Sequence, residues 1–164
     1  MNKWLLIFLT FLFISCGKEI ANQNEIFQLD IPQGFPDPII PEDNQLTYER
    51  IELGKRLFYD PILSKDGTIS CESCHKQEFA FADNVTISAG VEGRLGFRNS
   101  MSLANMAYQD ALMREGGVPT LEMQALVPIQ DHNEMDFNIL SVAEKLNLDS
   151  TYVNASIEAY TRIP

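Results

Sequence analysis

Apolar residues recur three and four positions apart in several stretches of the chain, the spacing that places them on one face of an α-helix. This pattern predicts five helices, at 47–59, 100–108, 120–127, 138–146 and 150–160. Thr47, Thr120 and Asn138 are suited to cap three of them, and either Asp149 or Ser150 begins the last. Pro128 is expected to close the third helix. The apolar residues of each helix are predicted to face the core, and in the last helix they are Tyr152, Val153, Ile157 and Tyr160.

Turns and loops separate these helices. A turn is predicted at 64–68, around Asp66-Gly67, and an irregular, glycine-punctuated loop is predicted from Asn84 to Arg98. Residues 17–45 are polar and rich in proline, which excludes a helix and predicts a tether followed by an extended arm. Residues 46–164 then form one mostly α-helical domain with long loops.

The first residues of the chain form a targeting segment. Lys3 precedes an apolar run that is too short to span a bilayer, so residues 1–15 are interpreted as a cleaved signal peptide. The run Phe13-Ile14-Ser15-Cys16 resembles a lipoprotein box, which predicts that Cys16 is lipidated as the first mature residue, with ordinary secretion as the alternative. The protein is therefore expected in the periplasm, held at a bacterial membrane only by that lipid.

Composition narrows the choice of partners. The chain of 164 residues carries a formal net charge of −11, and 45% of its residues are hydrophobic. The hydrophobic content is ordinary for a folded domain. The negative charge argues against binding to nucleic acid or to an anionic membrane face, and it allows attraction to a basic protein.

One motif carries specific chemistry. Cys71 and Cys74 stand three apart and His75 follows at once, which is the pattern of a c-type haem attachment site. On one helical turn both thiols can bond the haem covalently, and the imidazole can ligate its iron. A redox disulfide or half of a zinc site are the alternatives, but the chain has no second cysteine pair and only one other histidine, His132. The sequence thus predicts a helical, cytochrome-c-like domain wrapped around one covalent haem.

Several blocks around this motif resemble bacterial di-haem cytochrome c peroxidases, a group that includes the enzyme that matures methylamine dehydrogenase. The blocks are the run from Leu53 to Ser64, the haem motif, Arg98-Asn99-Ser100, the run from Leu121 to Ile129, and Glu134-Met135. The resemblance covers about 36–164 and only the N-terminal, peroxidatic half of the family. The resemblance does not extend to the family's C-terminal domain, which carries a second haem, so this chain is expected to be either a fragment or a natural half.

The resemblance implies roles for individual residues. Cys71, Cys74 and His75 correspond to the two thioether cysteines and the proximal iron ligand, Glu134 to the distal acid, Gln124 to the distal glutamine, and Asn99 to a side chain that helps to bind calcium. It also implies reduction of hydrogen peroxide to water with electrons from a small cytochrome c or copper protein. A carboxylate that moves a proton between the two peroxide oxygens typically contributes about 10²–10⁴-fold to the rate.

The chain departs from the family at two positions. Many members place an iron-capping histidine in the loop after the haem motif, where this chain has Val91. A distal site that is permanently open is therefore expected, with His132 as the only other candidate cap. Arg114 stands where members usually have a tryptophan between the two haems, which puts the family's electron path in doubt.

Two other functions remain open from the sequence. A mono-haem electron carrier would use His75 and a methionine as iron ligands. Its candidate methionines are Met101, Met106, Met113, Met123 and Met135, each of which also suits core packing. A related di-haem oxidase acting on another substrate is the second alternative. An isolated peroxidatic half would also turn over slowly without its electron-supplying domain.

Overall fold

The computed structural model describes residues 25–164, so the predicted signal peptide and Cys16 lie outside the described residues. Within these residues five α-helices follow one another, α1 (Tyr48–Tyr59), α2 (Cys71–Cys74), α3 (Leu121–Gln130), α4 (Ile139–Asn147) and α5 (Ser150–Tyr160). Single turns of 3₁₀-helix occur at Pro61–Leu63, Gln77–Phe79, Val91–Gly93 and Met106–Tyr108. Residues 25–164 contain isolated β-bridges but no strand, so the predicted mostly helical fold is confirmed.

Local capping explains where the longer helices begin. The Thr47 hydroxyl accepts a hydrogen bond from the Arg50 amide at 3.3 Å and starts α1. Asn138 caps α4 by accepting from the Leu140 amide at 2.9 Å. Asp149, not Ser150, caps α5, because its carboxylate accepts from the Thr151 amide at 2.8 Å.

The core lies where α1, α3, α4 and α5 meet the 3₁₀ turn that follows α1. Its buried members are Leu63, Ile129, Met135, Val142, Leu146 and Tyr152. Burial of each large apolar side chain contributes about 1.5–3 kcal/mol. The Tyr152 hydroxyl donates a 2.7 Å hydrogen bond to Asp60 Oδ2, which joins α5 to the end of α1. This frame fixes the ends of the loops that carry the haem motif and Glu134.

The predicted helix at 100–108 is wrong. Only Met106–Tyr108 is helical, and Asn105 before it is left-handed with φ 59°. Ser100 and Ser102 donate instead to the carbonyl oxygens of Cys74 and Ala80, at 2.7 and 2.6 Å. Serine side chains that bond distant backbone in this way compete with helix formation.

Two smaller expectations also fail. Helix α3 continues past Pro128 to Gln130, because Ile129 is buried in the core and the Asp131 amide still bonds the Val127 carbonyl at 3.0 Å. Ile157 does not face the core, since 46% of it is exposed. The buried face of α5 is formed by Tyr152, Ser156 and Ala159, whose last two small side chains allow close approach of other elements.

The residues before α1 form no helix within 25–46. Phe35 contacts Tyr108 with ring centroids 5.4 Å apart, and the Asn44 amide donates to Glu122 Oε1 at 2.9 Å. No helix within residues 25–164 has the length and apolar character needed to cross a bilayer.

Candidate functional site

The cysteine–histidine motif forms one tight helical turn. Ser70 precedes it as N-cap, and its amide donates to Ser73 Oγ at 3.0 Å. At the other end the His75 amide donates to the Cys71 carbonyl at 2.9 Å. Both thiols are partly buried, and this burial raises the pKa of Cys71 and of Cys74. The structure therefore brings the three predicted haem-binding residues together on one turn.

A backbone carbonyl orients the imidazole of His75. The ring Nδ1 lies 2.8 Å from the carbonyl oxygen of Phe81, so Nδ1–H donates and Nε2 keeps its lone pair. The carbonyl is aimed by a tight hairpin in which Ala80 and Phe81 are both left-handed, with φ 54° and 58°. Each such non-glycine residue costs about 1–2 kcal/mol. A histidine that ligates a metal usually donates its other ring N–H to a carbonyl or carboxylate oxygen in this way, and the hydrogen bond fixes the orientation of the ring.

Glu134 lies in the turn between α3 and α4. The Glu134 amide donates to the Asp131 carbonyl at 3.1 Å, and the Asn133 amide donates to Asp131 Oδ1 at 2.7 Å. The next residue, Met135, is buried in the core and its amide donates to the Pro128 carbonyl at 3.1 Å. The backbone on both sides of Glu134 is therefore fixed to α3.

The loop after the haem motif braces the same turn from the other side. The Val91 amide donates to the Glu134 carbonyl at 2.8 Å, and only 1% of Val91 is exposed. Gly90 packs directly on the turn, and a Cβ there would overlap the carbonyl oxygens of Asn133 and Glu134. Sequence reasoning missed this contact, because the spacing of Gly90, Gly93 and Gly96 indicated only a loop.

Electrostatics connects Glu134 to the haem motif. The pKa of Glu134 is raised, first by partial burial and then by the negative charge of Asp131. The Glu134 residue as a whole is exposed, while the protein atoms around its carboxyl raise the pKa of that group. The charges of Asp83 and Glu134 in turn raise the pKa of Cys74. Glu134 is thus close enough to Cys74 for its negative charge to disfavour the thiolate.

Gln124, the predicted distal glutamine, lies on α3. Its side-chain Oε1 is buried and accepts no hydrogen bond from the described residues. Buried polar atoms are rarely left unpaired, so this oxygen can accept a hydrogen bond from a bound molecule. Pro128, one turn later, also leaves the Gln124 backbone carbonyl without its usual helical donor.

His132 does not lie free to cap a metal. Its Nδ1 is 3.2 Å from Asp136 Oδ1, and its ring also contacts the Arg94 guanidinium at 2.9 Å. Arg94 Nη1 lies 2.9 Å from both ring nitrogens, so the ring is held between a cation and the Asp136 carboxylate. The side chain is 70% exposed, in agreement with a surface histidine.

Asn99, the predicted calcium ligand, contacts a positive charge. Its Oδ1 accepts a hydrogen bond from the Arg114 guanidinium, and the neighbouring Arg98 pairs with Glu115. Arg114 thus occupies the oxygen that a calcium ion would need. Within residues 25–164 no three His, Cys, Asp or Glu side chains converge as a metal site requires.

The residues present fit a covalently bound haem. Cys71 and Cys74 would supply the thioether sulfurs, and His75 Nε2 would ligate the iron. The unpaired Gln124 oxygen supplies a hydrogen-bond acceptor and the Glu134 carboxyl supplies an acid–base group. Polar groups of these two kinds beside a haem determine which reaction its iron supports. Among the described residues, two surface clefts along α1 and α5 share no residue with this group.

Comparison with known proteins covers most of the chain. The chain is 36% identical over 115 residues to methylamine utilization protein MauG of Methylophilus methylotrophus, and 35% identical over 117 residues to cytochrome c551 peroxidase of Pseudomonas aeruginosa. These matches cover 70% and 71% of this chain but 33% and 34% of those proteins, so the chain spans about a third of the length of the curated relatives it matches.

Solved structures agree with the sequence comparison. A MauG-like protein associated with microbial copper homeostasis superposes with a TM-score of 0.76 at 35% identity, over 82% of this chain and 40% of that one. Residues 48–163 match the sequence model described as di-haem cytochrome c peroxidase. That match takes in the haem motif, α3 and the Glu134 turn, and the chain belongs to the di-haem cytochrome c peroxidase family.

Proposed function

We propose that this chain is the peroxidatic domain of a di-haem peroxidase, which reduces hydrogen peroxide to two waters with two electrons and two protons. The observation that carries the proposal is the 2.8 Å hydrogen bond from the Val91 amide to the Glu134 carbonyl, which holds a carboxyl of raised pKa against the loop that follows the haem motif. The family, and a relative named cytochrome c551 peroxidase, support the same chemistry.

The proposed roles follow from the contacts. Cys71 and Cys74 attach the haem, and the Phe81 carbonyl holds His75 as a neutral ligand. When bound, the haem supplies the iron at which the peroxide oxygen–oxygen bond is broken. Glu134 accepts a proton from one peroxide oxygen and returns it to the other, which leaves as water. Gln124 Oε1 accepts a hydrogen bond from the peroxide and orients it.

The surroundings of this domain are also proposals. Electrons are supplied through a second haem domain and ultimately by a small cytochrome c or copper protein. Export through residues 1–15 and a lipid on Cys16 would place the domain in the periplasm, where c-type haem is attached. Calcium at Asn99 would require Arg114 to move away from the Asn99 side-chain oxygen.

The electron-carrier alternative gains little from the structure. Met135 is buried in the hydrophobic core, and Met113 and Met123 are exposed. Met101 and Met106 remain, and neither lies in a regular α-helix. An absorption or paramagnetic-resonance spectrum separates the functions, because a carrier shows low-spin His/Met ligation and no reaction with peroxide.

The deciding experiment uses the matured, haem-loaded chain and a small-molecule one-electron donor, so that no partner protein is needed. Peroxide turnover is compared for the wild type, Glu134→Gln and the control Glu144→Gln, whose exposed carboxylate lies on α4. Loss of about 10²–10⁴-fold is expected for Glu134→Gln alone. Turnover that survives intact in this variant would show that the acid–base role is wrong.

A further inference from the structure

No hydrogen bond among the described residues holds the Glu134 carboxyl in position. Burial and the charge of Asp131 account for its raised pKa, with no hydrogen bond among the described residues contributing. The orientation of the carboxyl therefore depends on the backbone of its turn and on the groups that clamp that turn. Misplacement of a catalytic group by about 1 Å can cost on the order of 10²-fold in rate.

A single guanidinium reaches both sides of Glu134. Arg94 Nη2 donates to Asp136 Oδ2 at 2.8 Å, and Arg94 Nη1 lies 2.9 Å from the ring of His132. Its Nε donates to the Val91 carbonyl at 3.2 Å, on the segment whose amide already bonds Glu134. The residues two before and two after Glu134 are thus tied to the loop that braces it.

Burial and a second cation stabilise this clamp, which consists of the contacts of Arg94 with Asp136, His132 and the Val91 carbonyl. The side chains of Arg94 and Asp136 are 20% and 19% exposed, so solvent screens their ion pair less than it screens a surface pair. Lys65 donates a second charged hydrogen bond to Asp136 Oδ2 at 2.9 Å. Asp136 itself is left-handed, with φ 47°, a conformation that its partners must stabilise.

We infer that Arg94 is a positioning residue for the reaction: it fixes the Glu134 carboxyl by clamping Asp136, His132 and the Val91 carbonyl. The inference rests on the proposed function, because it assigns Arg94 an effect that acts only through Glu134. The planar fork of arginine matters, since three acceptors in different directions are contacted by one group.

The test is a double-mutant cycle on the haem-loaded chain, with peroxide and a small-molecule electron donor. Arg94→Ala is expected to lower kcat/KM on the order of tenfold in the wild type, mainly through kcat. In a Glu134→Gln background the same substitution is expected to have no further effect, because the group that it positions is gone. Arg94→Lys should restore part of the loss, since lysine can pair with Asp136 but lacks the fork.

Controls separate this inference from its alternatives. Arg98→Ala removes another arginine of the same loop, paired with Glu115, and is expected to leave turnover unchanged. Equal losses in the two arginine variants, or an additive cycle, would overturn the positioning role and leave the acid–base role of Glu134 standing. Full turnover in Glu134→Gln would overturn the proposed function instead. If Arg94→Ala does not fold, Asp136→Ala removes the same contact and replaces it in the cycle.

Discussion

The Val91 amide donates a 2.8 Å hydrogen bond to the carbonyl oxygen of Glu134, and Gly90 packs against the same peptide. The loop after the haem motif and the turn after α3 are therefore one structural unit, although they are far apart in the sequence. A backbone shift at Val91 or Gly90 is therefore expected to move the turn that carries the candidate acid.

Gly90→Ala tests this contact directly. The new Cβ would overlap the carbonyl oxygens of Asn133 and Glu134 and lie 2.7 Å from Glu134 Cα, so the turn must shift. We expect a stability loss of about 1–3 kcal/mol, measured by urea unfolding. We also expect a fall of about 10²-fold in peroxide turnover with normal haem content.

Gly96→Ala is the matched control, because a Cβ at Gly96 meets no atom within 4 Å. It should leave both turnover and stability near those of the wild type. If Gly90→Ala also left turnover and stability unchanged, the packing of Gly90 against Glu134 would not contribute to function.

Local signals made the frame of the fold predictable. A cap and its helix are neighbours in sequence, so helix N-caps could be predicted at Thr47, at Asn138 and at either Asp149 or Ser150. The helix predicted at 100–108 failed because Ser100 and Ser102 bond backbone from another part of the chain. Periodicity contains no information on such distant acceptors.

The candidate site likewise has one part formed by neighbours in the sequence and another formed by residues that are distant in the sequence. The cysteine–histidine turn is local, so its residues were readable from spacing alone. The brace is not: nothing in the sequence near Gly90 or Arg94 indicates that both contact the turn of Glu134 and Asp136. Family resemblance supplied Glu134, and only the packing shows what holds it.

In a plot of kcat/KM for peroxide against pH, the fall on the acidic side (the acid limb) should follow the ionisation of Glu134. Because the pKa of Glu134 is raised above its ordinary value of 4.5, the base form is lost on acidification at a higher pH than for an exposed glutamate. Asp131→Asn removes the negative charge that contributes to this shift and keeps an oxygen that can accept from the Asn133 amide.

The limb in a plot of kcat/KM against pH is therefore expected to move to lower pH in Asp131→Asn. Asp149→Asn is the control, since it replaces another helix-flanking aspartate at the N-cap of α5 and should leave the limb in place. A limb that stays unchanged in Asp131→Asn would assign the ionisation to a different group.

The resting protein is expected to accept peroxide without a preceding reduction. The chain has two histidines, and the second, His132, is bound by Asp136 and Arg94. Val91, at the position where the family resemblance leads us to expect a capping histidine, cannot ligate iron and is buried. A high-spin ferric spectrum in the isolated protein and in His132→Asn is the expected result. A bis-histidine low-spin spectrum would contradict it.

The hydrogen bond between Tyr152 and Asp60 should contribute measurably to stability. Tyr152 is 2% exposed, and its pKa is raised, first by burial and then by its bond to the Asp60 carboxylate. Tyr152→Phe removes the donor, and the free energy of unfolding is expected to fall by about 1.5–3 kcal/mol. Tyr48→Phe is the control, because Tyr48 is half exposed and its replacement should change the unfolding energy little.

The pH dependence of this effect has a definite sign. A folded-state pKa above the unfolded value means that the native state holds the Tyr152 proton more tightly, so the stabilisation is complete below about pH 10. It is lost as the pH rises from there through the folded-state pKa. Unfolding experiments in alkaline solution should therefore show the wild type losing more stability than Tyr152→Phe, until the two curves approach each other. Parallel curves would mean that the hydroxyl proton contributes nothing to the contact between α5 and α1.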